Sequence, residues 1–83
     1  MFSNYVLYVK MSCPFCTRAI RELQDRGFEY KIVEVDDCPP GFLTQLKDAY
    51  EHDTFPMILG YDEDCRSYNW VGGCSDLIES LDD

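Results

Sequence analysis

The 83-residue chain is short of positive charge, has a single histidine, and holds no long apolar run. Seven Lys and Arg stand against sixteen Asp and Glu, a formal net charge of -9. That balance excludes nucleic acid and anionic membrane surfaces as partners, because both need clustered basic side chains to displace counterions. No stretch approaches the roughly 18 apolar residues of a membrane span, and no basic segment leads into an apolar run at the start. The chain is therefore expected to be soluble and cytoplasmic. Repeats, linkers and low-complexity segments are also missing, so residues 1–83 are expected to form one domain around a single compact core.

What is present points to a globular protein. Hydrophobic residues make up 46% of the chain and aromatics 14%, which excludes a disordered chain. The five cysteines, Cys13, Cys16, Cys38, Cys65 and Cys74, are odd in number and irregularly spaced. That fits a thiol-bearing protein better than a fully paired secreted framework. The charge is unevenly spread. Through position 21 the charged side chains are Lys10, Arg18 and Arg21, whereas from Asp48 onward ten acids face Arg66 alone. The end carrying the first two cysteines is thus locally positive.

Tyr5 to Val9 is β-rich and nearly continuously apolar, the pattern of a central strand buried on both faces. Ser12 or Cys13 then caps a helix with Pro14 in its first turn, Cys16, Ile20 and Leu23 on its apolar face, and Gly27 at its end. Phe28 to Val35 alternates and reads as a second strand, which completes a βαβ unit. Past the turn at Cys38–Gly41, the residues Phe42, Leu43, Leu46, Ala49 and Tyr50 recur at helical spacing. Met57–Tyr61 and Tyr68–Val71 read as a hairpin around Asp62–Asp64, with Tyr68 and Trp70 packing the sheet. A last helix over Cys74–Leu81 is expected to be capped by Ser75 or its neighbour.

The pair Cys13-Pro14-Phe15-Cys16 is compatible with a redox couple, a zinc clip or a structural staple. A structural zinc site wants four ligands and commonly a second close pair; Cys65 and Cys74 are not such a pair, and His52 stands by itself. A staple closing so short a loop would constrain the unfolded chain little. A redox couple needs one thiol of low pKa with some exposure and a second thiol within reach. Cys13, at a helix N-terminus with Lys10 three residues before it, suits attack; Cys16, one turn further in, suits resolution. Cys38 and Cys65 lie in turn-like segments and read as incidental thiols.

Three motifs in order, Cys13-Pro14-Phe15-Cys16 after an apolar strand, Thr54-Phe55-Pro56 ahead of a hairpin, and Gly72-Gly73-Cys74-Ser75-Asp76 opening the last helix, together resemble a glutaredoxin of the dithiol type. CPFC is close to the family's usual CPYC, TFP stands where TVP is common, and GGCSD is a form the family uses. The resemblance implies a thioredoxin fold, α/β with a four-stranded mixed sheet flanked by three helices in the order β-α-β-α-β-β-α. It implies a glutathione-dependent thiol-disulfide oxidoreductase that acts as a monomer on disulfide-containing or glutathionylated proteins, with no bound cofactor or metal and glutathione as reductant.

By the same resemblance Cys13 is the nucleophile and Cys16 the resolving thiol. Glutathione would be held by Lys10, Phe15, Thr54, Phe55, Pro56, Gly73, Cys74, Ser75 and Asp76. Phe55 would pair with the ligand backbone ahead of a cis bond to Pro56, and Gly73, Cys74 and Ser75 would offer donors to the γ-glutamyl carboxylate with Asp76 near its ammonium. Lys10 would serve the thiolate and the glycyl carboxylate. Some features depart from the family: Asp53 and His52 stand where a basic residue is common, leaving Gln45 or Lys47 as candidate replacements. The hairpin after Pro56 is long and the chain is short, as in a minimal member. Other readings are a thioredoxin-like electron donor to ribonucleotide reductase, disfavoured by GGCSD, and a glutathione-ligated [2Fe–2S] carrier, disfavoured by Pro14 and Cys16.

Overall fold

The computed structural model describes residues 2–10, 12–50 and 54–82. Its elements are β1 (Asn4–Val9), α1 (Pro14–Asp25), β2 (Glu29–Glu34), α2 (Pro40–Tyr50), β3 (Met57–Asp62), β4 (Ser67–Gly72) and α3 (Cys74–Asp82). They build one sheet in the order β2-β1-β3-β4. The β1/β2 pair is parallel, with Tyr5 opposite Tyr30 and Leu7 opposite Ile32, while β1/β3 and β3/β4 are antiparallel. This is the four-stranded mixed sheet with three helices expected of a thioredoxin fold. The sequence reading missed a single 3-10 turn at Val35–Asp37, where Val35 is buried between β2 and α2.

β1 occupies an interior position, but it is not buried on both faces as its apolar run suggested. Its burial alternates: Tyr5, Leu7 and Val9 are buried, and Asn4, Val6 and Tyr8 are half-buried. Strand side chains alternate across the sheet, so the first set faces one layer and the second the other. The first layer is α1 and α3. Cys16, Ala19 and Leu23 of α1 and Cys74 and Leu77 of α3 meet Tyr5, Leu7, Val9 and Ile58 in one cluster. The second layer is thinner, because α2 buries no residue fully and touches the sheet through Tyr8 with Phe42 and through Trp70 stacked on Tyr50, 4.5 Å between centroids. A short helix with Lys47 and Gln45 among its apolar positions cannot seal that face, and this is why β1 is half-covered there.

α1 forms because Pro14 starts it at a position where a missing N–H costs nothing, and its next turns are rich in strong helix formers. It stops at a Schellman turn: Gly27 adopts φ +76°, its N–H donates to Gln24 O, and Phe28 N–H donates to Leu23 O. At the same end Arg26 donates to the carboxylates of Glu22 and Asp82 and to Leu81 O, tying the ends of α1 and α3 together. In the hairpin, Asp62 accepts from the N–H groups of Asp64 and Cys65, and Arg66 at φ +55° completes the turn into β4.

Leu23 is fully buried at the centre of the α1/α3 layer. Leu23→Ala is expected to lower unfolding free energy by about 2–5 kcal/mol, read from the denaturant midpoint at unchanged m-value.

Candidate functional site

Three chain segments meet at the end of the sheet where β1 runs into α1. The first carries Lys10, Ser12 and Cys13. Ser12 adopts φ +62°, a left-handed conformation that costs an L-residue roughly 1–2 kcal/mol and swings the chain from strand into helix. Cys13 is then the N-cap of α1, in extended conformation, so Ser12 is not the cap. Because α1 buries the side of the helix that carries Cys16, Ala19 and Leu23, Cys16 goes into the core while Cys13 stays half-exposed.

The second segment is Thr54-Phe55-Pro56, in which the Phe55–Pro56 bond is cis as the resemblance implied. Pro56 is buried, and the Phe55 carbonyl lies 3.8 Å from Cys13 Sγ and can accept its proton. The third is the start of α3. Gly72 adopts φ +125°, and a Cβ there would run into the Asp76 side chain. Asp76 Oδ2 accepts the Gly73 N–H at 3.0 Å, so this donor, expected to serve a ligand, is engaged within the chain. α3 begins at Cys74 as expected, but neither Ser75 nor its immediate neighbour precedes it as the cap: Gly73 stands before the first turn and Asp76 satisfies its N–H. The N–H groups of Cys74, Ser75 and Asp76 still have no acceptor within the helix.

Between these segments lies a cleft of about 370 Å3, lined by Phe15, Thr54, Phe55, Gly73, Cys74, Ser75 and Asp76. All seven were picked out from the sequence. Phe15 is 59% exposed, an apolar wall beside Cys13. Lys10 completes the rim with its Nζ 5.6 Å from the Phe55 ring centroid. Cys74 faces inward and is buried, so it contributes backbone rather than thiol to the cleft. Lys47, left as an open alternative by the sequence, also comes to the rim, its Nζ 5.5 Å from the same ring centroid. Its spacing of four residues from Leu43 is the signal that it shares that residue's face. His52 and Asp53 lie outside the described residues.

The two thiols of the pair are electrostatically opposite. Partial burial pushes the Cys13 thiol up, but it is outweighed by hydrogen bonds from the Cys16 thiol and from the N–H groups of Cys16 and Phe15, and by the charge of Lys10, so Cys13 is held below its ordinary value. Cys16 is pushed up to about 11, first by burial and then because its proton is shared with Cys13. Burial also pushes Cys74 up, against the pull of Arg18. The Cys13 thiol is thus the more acidic of the two, and the Cys16 S–H is a donor to its anion.

Residues 5–62 match the family model described as Glutaredoxin. A glutaredoxin-like protein of Encephalitozoon cuniculi is 34% identical over 73 residues, covering 88% of this chain; the chain spans half of that protein's length. Glutaredoxin-1 of Rhizophagus irregularis is 30% identical over 79 residues, covering 93% of this chain and 72% of its own. The dithiolic glutaredoxin of Trypanosoma brucei superposes with a TM-score of 0.69 at 32% identity, over 94% of this chain and 75% of that one. With a family model matched across both Cys13-Pro14-Phe15-Cys16 and the Thr54-Phe55-Pro56 loop, and relatives aligned over nearly the whole chain, this protein belongs to the glutaredoxin family.

Proposed function

We propose that the protein is a glutathione-dependent thiol-disulfide oxidoreductase, with Cys13 as nucleophile and Cys16 as resolving thiol. The observation that carries this reading is the polarised thiol pair at the mouth of a peptide-sized cleft: Cys13 held low and half-exposed, Cys16 pushed up and buried. The cleft volume falls in the range of small-ligand sites, about 300–1,000 Å3. Its rim suits an anionic tripeptide. Lys10 and Lys47 supply cations at one side, and the free N–H groups at the start of α3 and the Ser75 hydroxyl supply donors at the other.

The steps follow from the thiol asymmetry. The Cys13 thiolate attacks the glutathione sulfur of a protein–glutathione disulfide; the Cys13–glutathione S–S bond forms, the protein S–S bond breaks, and the protein thiolate leaves and takes a proton from solvent. As long as Cys13 is an anion, the Cys16 S–H donates to it; in the neutral thiol, the Cys13 S–H can instead donate to Phe55 O. A second glutathione thiolate then attacks the bound glutathione sulfur, releases oxidised glutathione and restores the Cys13 thiolate. In the dithiol route, Cys16 loses its proton and attacks Cys13, expelling glutathione and leaving a Cys13–Cys16 disulfide for two glutathione molecules to reduce. In the Cys13–glutathione intermediate Cys13 no longer takes a hydrogen bond from Cys16, but the burial that pushes Cys16 up persists and keeps its thiolate fraction small, which makes this the slower branch near neutral pH.

Glutathione-dependent reduction of a glutathionylated substrate, coupled to glutathione reductase, tests the assignment. Cys13→Ser is expected to abolish turnover, and Cys16→Ser to keep it within about threefold of wild type, since glutathione resolves the intermediate. No turnover by the wild-type protein would overturn the reading. Alkylation followed residue by residue is expected to rise with pH at Cys13 through a midpoint below that of the same thiol in the unfolded chain, because the thiolate fraction grows as the proton is lost. Cys16 is expected to stay unreacted until near pH 11. Gly72→Ala is expected to cost about 1–3 kcal/mol of stability and to raise KM for glutathione, since a Cβ at φ +125° is strained and displaces Asp76 from Gly73.

A further inference from the structure

Phe55 occupies the position where the resembled motif carries valine, and the larger side chain changes what the loop can do. Its two halves face different partners. The carbonyl lies 3.8 Å from Cys13 Sγ, and the ring has two ammonium groups over it: Lys10 Nζ at 5.6 Å from the turn before α1, and Lys47 Nζ at 5.5 Å from α2. Two like charges drawn to one spot repel each other, and a flexible lysine loses rotamer freedom when it is held. An aromatic ring offsets both costs, because its negative face attracts each cation, whereas a valine at the same place offers only volume. Asp76 lies on the opposite wall of the cleft, its carboxylate engaged by Gly73 N–H.

We infer that Phe55 is a positioning residue whose ring gathers Lys10 and Lys47 beside Cys13, so that an anionic co-substrate arriving at the sulfur meets two oriented cations rather than two mobile ones. The backbone of Phe55 sets the distance between that cation pair and the nucleophile, and the ring sets the charge. The inference shares with the proposed function the premise that Cys13 is the reactive thiol, but it does not depend on glutathione being the reductant.

Two alkylating reagents of like size and the same leaving group, anionic iodoacetate and neutral iodoacetamide, separate the charge effect from the reactivity of the thiol itself. Each is reacted with the full chain at fixed pH, and modification at Cys13 is followed by peptide mass spectrometry. The quantity read is the iodoacetate/iodoacetamide rate ratio. Phe55→Leu, which keeps apolar volume without the aromatic face, is expected to lower that ratio by about two- to fivefold, the size of a cation–π contact near the surface. Phe55→Tyr is expected to hold the wild-type ratio, which separates loss of the ring from damage to the loop. In a Lys10→Gln, Lys47→Gln background the ratio is expected to be low already and Phe55→Leu to change it no further. Added salt should compress the wild-type ratio toward that of the lysine variant. A wild-type ratio in Phe55→Leu, an equal fall in Phe55→Tyr, or a full Phe55→Leu effect without the lysines overturns the inference. Failure of glutathione turnover with these ratios intact would overturn the proposed reductant instead.

Discussion

The packing of one helical stripe governs the rest of this structure. Cys16, Ala19 and Leu23 recur on the same side of α1 and sink against Leu7, Val9 and Ile58. Once they are buried, the rotation of α1 about its axis has no freedom left, and Cys13 is turned to the rim while Cys16 is turned to the core. The difference between the two thiols is therefore a packing result before it is an electrostatic one. Burial raises Cys16 and makes it a reluctant acid, and a protonated Cys16 is what donates to the Cys13 sulfur. The chemistry of the pair is inherited from where an alanine and a leucine find room.

Around that fixed point the site is assembled from segments that are far apart in the chain. Ser12 accepts a left-handed backbone to bring Cys13 to the helix start, Pro56 is buried so that Phe55 O reaches the sulfur, and Gly72 leaves space for Asp76 to close on Gly73. Each of these is a local concession held in place by the α1/α3 layer. The other face of the sheet is different in kind. α2 rests there on two aromatic contacts and buries nothing fully, yet it delivers Lys47 to the same ring that Lys10 approaches. A thinly packed helix thus adds a cation to a site whose thiol pair is held by the dense layer opposite.

Element order and the difference in burial between Cys13 and Cys16 were legible from local rules, and the residues of the cleft from the resemblance of three motifs to a known family. Pro14 marks a helix start, Gly27 a helix end, and a three-residue spacing places two cysteines one turn apart. Less was legible where the outcome depended on what covers what. Tyr5 to Val9 reads as apolar throughout, but how far each face is buried was settled by α2, which carries too few apolar residues to seal its side. Ser75 is a good capping residue by type, yet the cap went to the Gly73/Asp76 arrangement because Cys74 had to turn inward.

What the sequence by itself determined is the set of parts: a β-α-β-α-β-β-α order, a thiol pair at the start of a helix, and three motifs that name the cleft. Only the tertiary structure decided the electrostatics of that cleft. Whether Lys47 is a surface charge or part of the rim depends on how α2 lies across the sheet, and Lys10 and the Cys13 sulfur meet Phe55 only because the fold brings the loop before β3 against the start of α1. The physical reason is the range of the forces involved. Helix starts, turns and strand alternation are set within a few residues, whereas the burial of Cys16 and the approach of the Phe55 carbonyl to Cys13, 42 residues away in the chain, depend on segments that only the fold brings together.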